Sequence, residues 1–474
     1  MPSRAVAYCL LLSALACDRS EKPEQAQAPA PSRTAPPTAQ SAPPAPKPQR
    51  PAEPLNVILL SVDSLRADMP WAGYERPIAP NLTQLAAQGI VYENARSVAS
   101  YTAQSVAVFL SGRYASTLYR QGVFFTGYPD SNLFFPEVLR DAGLPALGAH
   151  AHMYFHRGKG IDQGFSAWEI VKGISFDSST DNHVTSEKLT ALLAELLSKP
   201  EHTKQPFFAW AHYMDPHDQY QRHAMCPKEW GRSNRDRYDC EVLFTDHHIG
   251  EFLKFAEKQP WWERTAVIVT ADHGEAFGEH DMWKHAFELW EVLVRVPWLF
   301  KVPGAEPRRI DAPRTHIDMA PTIVDLMGIE PLPGFMGKSL VPELFGAPAP
   351  QRDVIVLELA EDSHNPARRA IIQGDYKLIV HGYKQGYRQE LYDLGKDPGE
   401  TRDIAKEEPE ALTRMRALFE ETFAKIPSIE PYGGMTLKSG RTARGPVGPP
   451  APKATTPEET DAREAAPQAG GDKQ

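Results

Sequence analysis

The run Asn56 to Asp63, NVILLSVD, decides the fold. Asn56 to Val62 is nearly continuous in apolar residues and too short for a stable helix, the pattern of a strand buried on both faces of a parallel sheet, and a carboxylate follows at once. Two further runs repeat the arrangement. Pro206 to His212 (PFFAWAH) leads into Tyr213-Met214-Asp215-Pro216-His217, and Thr265 to Thr270 (TAVIVT) leads into Ala271-Asp272-His273-Gly274. Carboxylates and histidines thus sit just past the carboxyl ends of separate strands, where open α/β sheets assemble their active sites.

Between these runs the spacing predicts helices over Ile78 to Gln88, Asp181 to Leu197 and Asp239 to Lys258, the second with Leu189, Leu192, Leu193 and Leu196 on one face. Beyond about Phe345 the texture changes to short strands: Val354 to Leu359, Arg369 to Gln373, Tyr376 to His381 and Glu390 to Leu394, with Gly374-Asp375 turning the middle pair. A small antiparallel carboxyl-terminal subdomain closed by a helix over Pro409 to Lys425 is expected. The boundaries read as a leader at 1–17, a linker at 18–54, a catalytic domain at 55–345, the subdomain at 346–431 and a tail at 432–474.

Composition supports the outer limits. Of the 44 prolines, 11 fall in Glu21 to Pro54 and 6 in Pro446 to Gln474; the first stretch has no Val, Ile, Leu or aromatic residue and the second only Val447, too little apolar area to offset chain entropy. Both are expected to be disordered. With 51 Lys+Arg against 61 Asp+Glu and no dense basic run, electrostatics argues against a nucleic-acid partner. At the start, Arg4 precedes the apolar run Ala5 to Ala16, too short to span a bilayer but long enough for an export signal. Ser13-Ala14-Leu15-Ala16-Cys17 resembles the cleavage-and-lipidation box of bacterial lipoproteins, with an ordinary secretory peptide as the alternative. The expectation is an exported periplasmic or cell-envelope lipoprotein, held to a membrane through Cys17 and spaced from it by the proline-rich linker. Cys226 and Cys240 then read either as a disulfide in an oxidising compartment or as free thiols.

Seven stretches in order resemble the sulfatase family of the alkaline phosphatase superfamily, from about Asn56 to Ile404. They are NVILLSVDSLRAD, PNLTQLAAQGIVYENARS, SYTAQSVAVFLSGRY, AHYMDPHDQY, VTADHGEAFGEHDMWKHAFELWEVLVRVPWLFKVPG, HIDMAPTIVDLMG and GDYKLI with ELYDLGKDPGETRDIA. The resemblance implies an α/β fold, a mixed central sheet flanked by helices with a small carboxyl-terminal antiparallel subdomain. It also implies one divalent metal ion held by Asp63, Asp272, His273 and the Thr102 oxygen. Two carboxylates and an imidazole suit Zn²⁺ or Mn²⁺ better than Ca²⁺, which stays as the third candidate. Without that context each carboxylate alone would read as a helix cap or a surface charge.

Thr102 stands at the place of the family's nucleophile, ahead of the apolar segment Ala103 to Leu110, whose start as a helix would help hold an anion. His217 resembles the catalytic histidine able to protonate a leaving oxygen, and His285 the histidine that contacts the bound anion. His212, His280 and Arg66 are assigned to substrate binding. His247 and His248 fall mid-helix without motif support. His150, His152 and His156 stand where the family often shows a Gly-Lys-Trp-His segment, absent here; they read as lining a loop, with replacement of that segment's anion-binding role as the alternative. The sequence departs from sulfatases proper at Thr102-Ala103-Gln104-Ser105-Val106. The Cys-x-Pro-x-Arg box that directs formylglycine formation is absent, and Ser64 replaces the second residue of the family's Asp-Asp pair. Thr102 therefore implies a formylglycine-independent hydrolase acting on a sulfate or phosphate ester, with a small anionic ester as substrate. The alternatives are a phosphotransferase or phosphodiesterase working on membrane or envelope head groups, and a non-catalytic binding protein on the same fold. Loops Ala115 to Phe135 and Ala149 to Phe176 would shape the pocket.

Overall fold

The first strand, β1 (Asn56–Val62), is buried along its whole length because it lies at the centre of a sheet covered on both faces. The computed structural model describes residues 51–174, 184–349, 352–382 and 388–445. The expected leader with Cys17, the linker up to residue 50 and the tail beyond 445 lie outside them, as do 181–183 of the second expected helix. The other strands of the main sheet are β2 (Ile90–Tyr92), β3 (Ala146–His150), β4 (Ala167–Ile170), β5 (Phe208–Tyr213), β6 (Thr265–Ala271), β7 (Trp298–Lys301) and β8 (Arg308–Ile310). They form an eight-stranded sheet in the order β8-β2-β7-β6-β1-β5-β3-β4, in which only β7 runs against its neighbours.

Strand periodicity divides the core in two. Val57 and Leu59 point into one apolar cluster with Phe109, Trp210 and Ile268; Ile58, Leu60 and Val62 point into the other with Leu189, Leu193 and Phe252. Helices α1 (Pro80–Gln88), α3 (Ser186–Leu197) and α4 (Asn234–Ala256) cover the second face, while α2 (Thr102–Ser111) and α5 (Met319–Leu326) cover the first. All ten residues of α2 are buried, and it ends at Gly112, whose left-handed φ of 61° and closeness to Phe335 leave no room for a side chain. Helix α4 begins five residues before the expected Asp239. Ser233 and Asp236 form a reciprocal capping box, and the signal Ser-x-x-Asp was in the sequence. Cys226 and Cys240 form a disulfide, with Cα atoms 5.7 Å apart. Among the described residues no helix is long and apolar enough to cross a membrane.

The carboxyl-terminal sheet has four antiparallel strands in sequence order, β9 (Ile355–Leu359), β10 (Arg368–Gln373), β11 (Tyr376–His381) and β12 (Gln389–Asp393). One face packs on helix α6 (Pro409–Ala424) through Val356, Ile371, Leu378 and Met415; the other joins the main core through Leu357, Ala370 and Ile379. At this seam the fully buried Lys377 ammonium lies 2.9 Å from Glu291 and 2.8 Å from Glu400, and Arg96 closes on Glu291.

The tail does not begin at 432. Leu437 and Ala443 are buried, Arg441 pairs with Glu361 at 2.6 Å, and the Lys438 amide donates to the Asp362 carbonyl. Apolar side chains are sparse here, but these two find a ready-made surface over Gly122. A chain ending at Gly445 should melt with the full-length protein. One ending at Pro431 should lose about 2 kcal/mol or more, the worth of one buried leucine, in denaturant unfolding; equal midpoints would refute the packing.

Candidate metal and active site

Ladder register builds the site. Val62 of β1 pairs with Ala271 of β6 on one side and with Tyr213 of β5 on the other, so the residues that follow emerge level with one another. Asp63 and Asp272 are therefore neighbours, and with His273 they place one ligand atom each within 4.8 Å of the others, all three fully buried. Thr102 arrives at the first turn of α2, which covers the same face of the sheet. Its hydroxyl lies 3.2 Å from Asp63 Oδ2 and 3.3 Å from His273 Nε2.

The donor set fits a divalent cation. The Nδ1 of His273 is 2.9 Å from the Gly274 carbonyl and so carries the hydrogen, which leaves the Nε2 lone pair aimed at the carboxylates, 3.6 Å from Asp63 and 3.4 Å from Asp272. Asp272 Oδ2 is buried with no hydrogen-bond partner, and burial together with the adjacent Asp63 pushes the Asp272 carboxyl up to about 7. Burial also acts on Asp63, but His217, His212 and His273 outweigh it and hold that carboxyl well below its usual range. Two carboxylates at one buried point repel each other unless a cation lies between them. Ser64, at the second acidic position of the family pair, has a left-handed φ of 58°; its hydroxyl donates to Asp63 and its amide to Asp272, so it orients ligands and is not one itself.

Two histidines face this centre from the cleft side. The His285 ring stands 4.3 Å from that of His273 and 4.9 Å from that of His217. Burial opposes its charge, but the fully buried Glu275, 3.3 Å away, together with Asp63 and Asp272, raises it to about 9. It is an imidazolium suited to an anionic oxygen. His217 is partly exposed, with Nδ1 3.0 Å from the Asp218 carbonyl, which leaves Nε2 for proton exchange. Lys284 pairs with Asp218 at the rim.

The structure brings together Asp63, Thr102, Asp272, His273, His217 and His285, and it places the remaining predicted residues elsewhere. His212 is fully buried behind Asp63, bonded at both ring nitrogens, and has no surface for substrate. His280 stacks on Trp290 with ring centres 4.1 Å apart. Arg66 is spent on Asp68, Glu279 and the Glu275 carbonyl, tying the loops after β1 and β6 to each other. His152, read from the sequence as a loop residue, turns its ring to within 6.4 Å of His217 and 6.3 Å of His212. Burial holds it down at about 3, a neutral donor or acceptor at the cleft wall. Glu275 was also missed; it lies beyond the strand end, where no periodicity marks its direction. A second group, His247, His248 and Glu251, lies along α4 and is closed by its own pairs at 3.6 and 2.6 Å.

The sulfatase family model matches residues 55–329, and a model described as N-sulphoglucosamine sulphohydrolase, C-terminal, matches residues 278–425. Among characterised proteins, a choline-sulfatase of Rhizobium meliloti is 28% identical over 202 residues, covering 40% of this chain and 38% of its own length. An ulvan-active sulfatase of Formosa agariphila is 26% identical over 352 residues, 64% of this chain and 68% of that protein. Of solved structures, a putative sulfatase from Bacteroides thetaiotaomicron superposes with a TM-score of 0.65 at 21% identity, covering 79% of this chain and 93% of that one. The phosphonate monoester hydrolase of Agrobacterium radiobacter superposes at 0.63 and 18% identity, covering 83% and 100%. At these identities the superpositions show a shared fold.

Proposed function

Because this chain belongs to the sulfatase family, we propose that it hydrolyses an anionic ester through the Thr102 hydroxyl, without formylglycine. The observation that carries this reading is the Thr102 oxygen within 3.3 Å of both a buried carboxylate and the unprotonated nitrogen of His273. Asp63, Asp272 and His273 would hold a divalent cation, which would supply Lewis acidity for the ester reaction. His285, charged through Glu275, holds a non-bridging oxygen of the ester. Thr102 passes its hydroxyl proton to the Asp63 carboxylate it donates to and attacks sulfur or phosphorus, the bond to the leaving oxygen breaks, and His217 gives that oxygen its proton. Water then attacks the threonine ester, His217 takes the water's proton, the bond to the Thr102 oxygen breaks, and that oxygen recovers its proton from Asp63 as the free anion leaves.

Threonine also bears on the ester class. A formylglycine hydrate has a second hydroxyl that expels sulfate by elimination, whereas a threonine ester is released only by attack at its central atom. Phosphorus accepts such in-line displacement readily, which favours a phosphate or phosphonate ester. The sulfate reading is supported by relatives whose names specify choline and ulvan sulfatase activity.

One experiment tests both. Purified protein is incubated with aryl phosphate, phosphodiester and aryl sulfate esters, quenched, and the Thr102 peptide weighed by mass spectrometry. A phosphate adduct on Thr102 is expected. A sulfate adduct would reverse the ester class, and turnover with neither adduct would refute the nucleophile.

A further inference from the structure

We propose that His212 is a positioning residue for Asp63, locked in a single tautomer by Ser61 and Trp210. The inference rests on the metal reading of Asp63 above. On β1, Leu59, Ser61 and Asp63 alternate onto one face; on β5, Trp210 and His212 occupy the same face. The parallel ladder pairs Leu59 with Trp210 and Ser61 with His212, so these side chains stand beside one another. The resulting chain of contacts is short and dry. Trp210 Nε1 lies 2.7 Å from Ser61 Oγ, Ser61 Oγ lies 2.8 Å from His212 Nδ1, and His212 Nε2 lies 3.2 Å from Asp63 Oδ2. All four side chains are buried.

Donor counting fixes the direction. An indole N–H can only donate, so Ser61 Oγ accepts from Trp210 and its single hydrogen is free for His212 Nδ1. Nδ1 is then the acceptor, and the ring hydrogen must sit on Nε2, facing a carboxylate that can only accept. The opposite tautomer would set a lone pair of nitrogen against Asp63 Oδ2 and leave the Ser61 hydrogen without an acceptor in this chain. The carboxylate is held from the other side too, where the Ser64 hydroxyl donates to Asp63 Oδ1 at 3.0 Å. His212 therefore restrains the rotation of Asp63 and leaves its remaining lone pairs for the cation, the role that outer partners play for metal-bound carboxylates.

The test measures divalent-metal affinity of the full chain by competition with a chromophoric chelator, using Zn²⁺ and Mn²⁺, alongside thermal unfolding of each metal-free protein. His212→Ala and His212→Asn should weaken affinity about 10- to 100-fold. His212→Gln, whose amide nitrogen takes the place of Nε2 and can still donate to Asp63, should stay nearer the wild type than either. The Asn amide reaches only the Nδ1 position and leaves Asp63 without its donor, so a purely structural role would not separate Gln from Asn. Equal affinity in all three variants, or equal loss in all three, would overturn the proposal. Should the His212 variants fail to fold, Ser61→Ala and Trp210→Phe probe the same chain, and ¹⁵N-histidine NMR reads the tautomer directly. An Nδ1–H tautomer at His212 in the wild type refutes the lock. A wild type that binds neither metal refutes the metal reading instead, and leaves the tautomer measurement standing on its own.

Discussion

Thr102→Ala should lower turnover by roughly 10⁴- to 10⁶-fold, the scale seen when a covalent nucleophile is removed, with the protein still folded. The fold should survive because Thr102 contributes only a first-turn hydroxyl to α2, whose stability comes from the buried Val106, Phe109 and Leu110. Alanine is also the stronger helix former. Thr102→Ser is the informative partner. It keeps the oxygen near Asp63 and His273 and should retain most of the turnover, with the adduct moving to the serine. Steady-state assays on the two variants, with melting temperatures measured in parallel, check this; an alanine variant within tenfold of the wild type would exclude Thr102 as nucleophile.

Stripping the metal should abolish turnover and also lower the melting temperature, and Asp272→Asn should separate the two effects. In the metal-free protein Asp63 and Asp272 face each other in a buried site, and the Asp272 carboxyl, raised to about 7, is the strained one. A carboxyl whose folded pKa is raised destabilises the fold where it is ionised, above that pKa, and the penalty fades as pH falls through about 7. His285, raised to about 9, acts in the same direction, since its stabilising charge is lost as pH rises through about 9. The metal-free protein should therefore melt higher at pH 6 than at pH 9. Loading with metal should raise the melting temperature most at the alkaline end, by mass action. Asp272→Asn removes one of the two like charges. It should be at least as stable as the metal-free wild type at pH 8, yet inactive and weak in metal binding. Calorimetry across pH with and without chelator decides it; a metal-free protein that gains stability from pH 6 to 9 would contradict the pairing.

The fold was legible in its longer strands. β1 and β11 have the bounds read from the sequence, and the other strands named there shift by one or two residues at their ends, because an apolar run of several residues bounded by turn residues marks a buried strand. The grouping of Asp63 with Asp272 and His273 followed from strand ends plus family order. The short strands β2, β3, β4, β7 and β8 were not read, since such brief runs carry little periodicity, and directions of side chains beyond the strands were missed as well. His212 has the right residue type and spacing for substrate contact, but strand alternation turns it to the same face as Ser61, under Asp63 and not over it. His280 sits at a left-handed φ of 55° in a loop where Asp281, Lys284, Ala286 and Phe287 also have positive φ, and no local propensity predicts such a path. His152 reaches the cleft because the loop after β3 folds back over Phe155, a tertiary event with no periodic signature.

The in-register ladder joining β5, β1 and β6 has a consequence for how this protein could be altered. Strand pairing sets the backbone positions of Asp63 and Asp272, while His217 and His285 stand on segments that only begin where the strands stop. The two ligand carboxylates and the histidines beside them are therefore set by separate parts of the chain. Those segments could change with the ligand carboxylates left in place. The carboxylate pair is the part of this scaffold that would resist change.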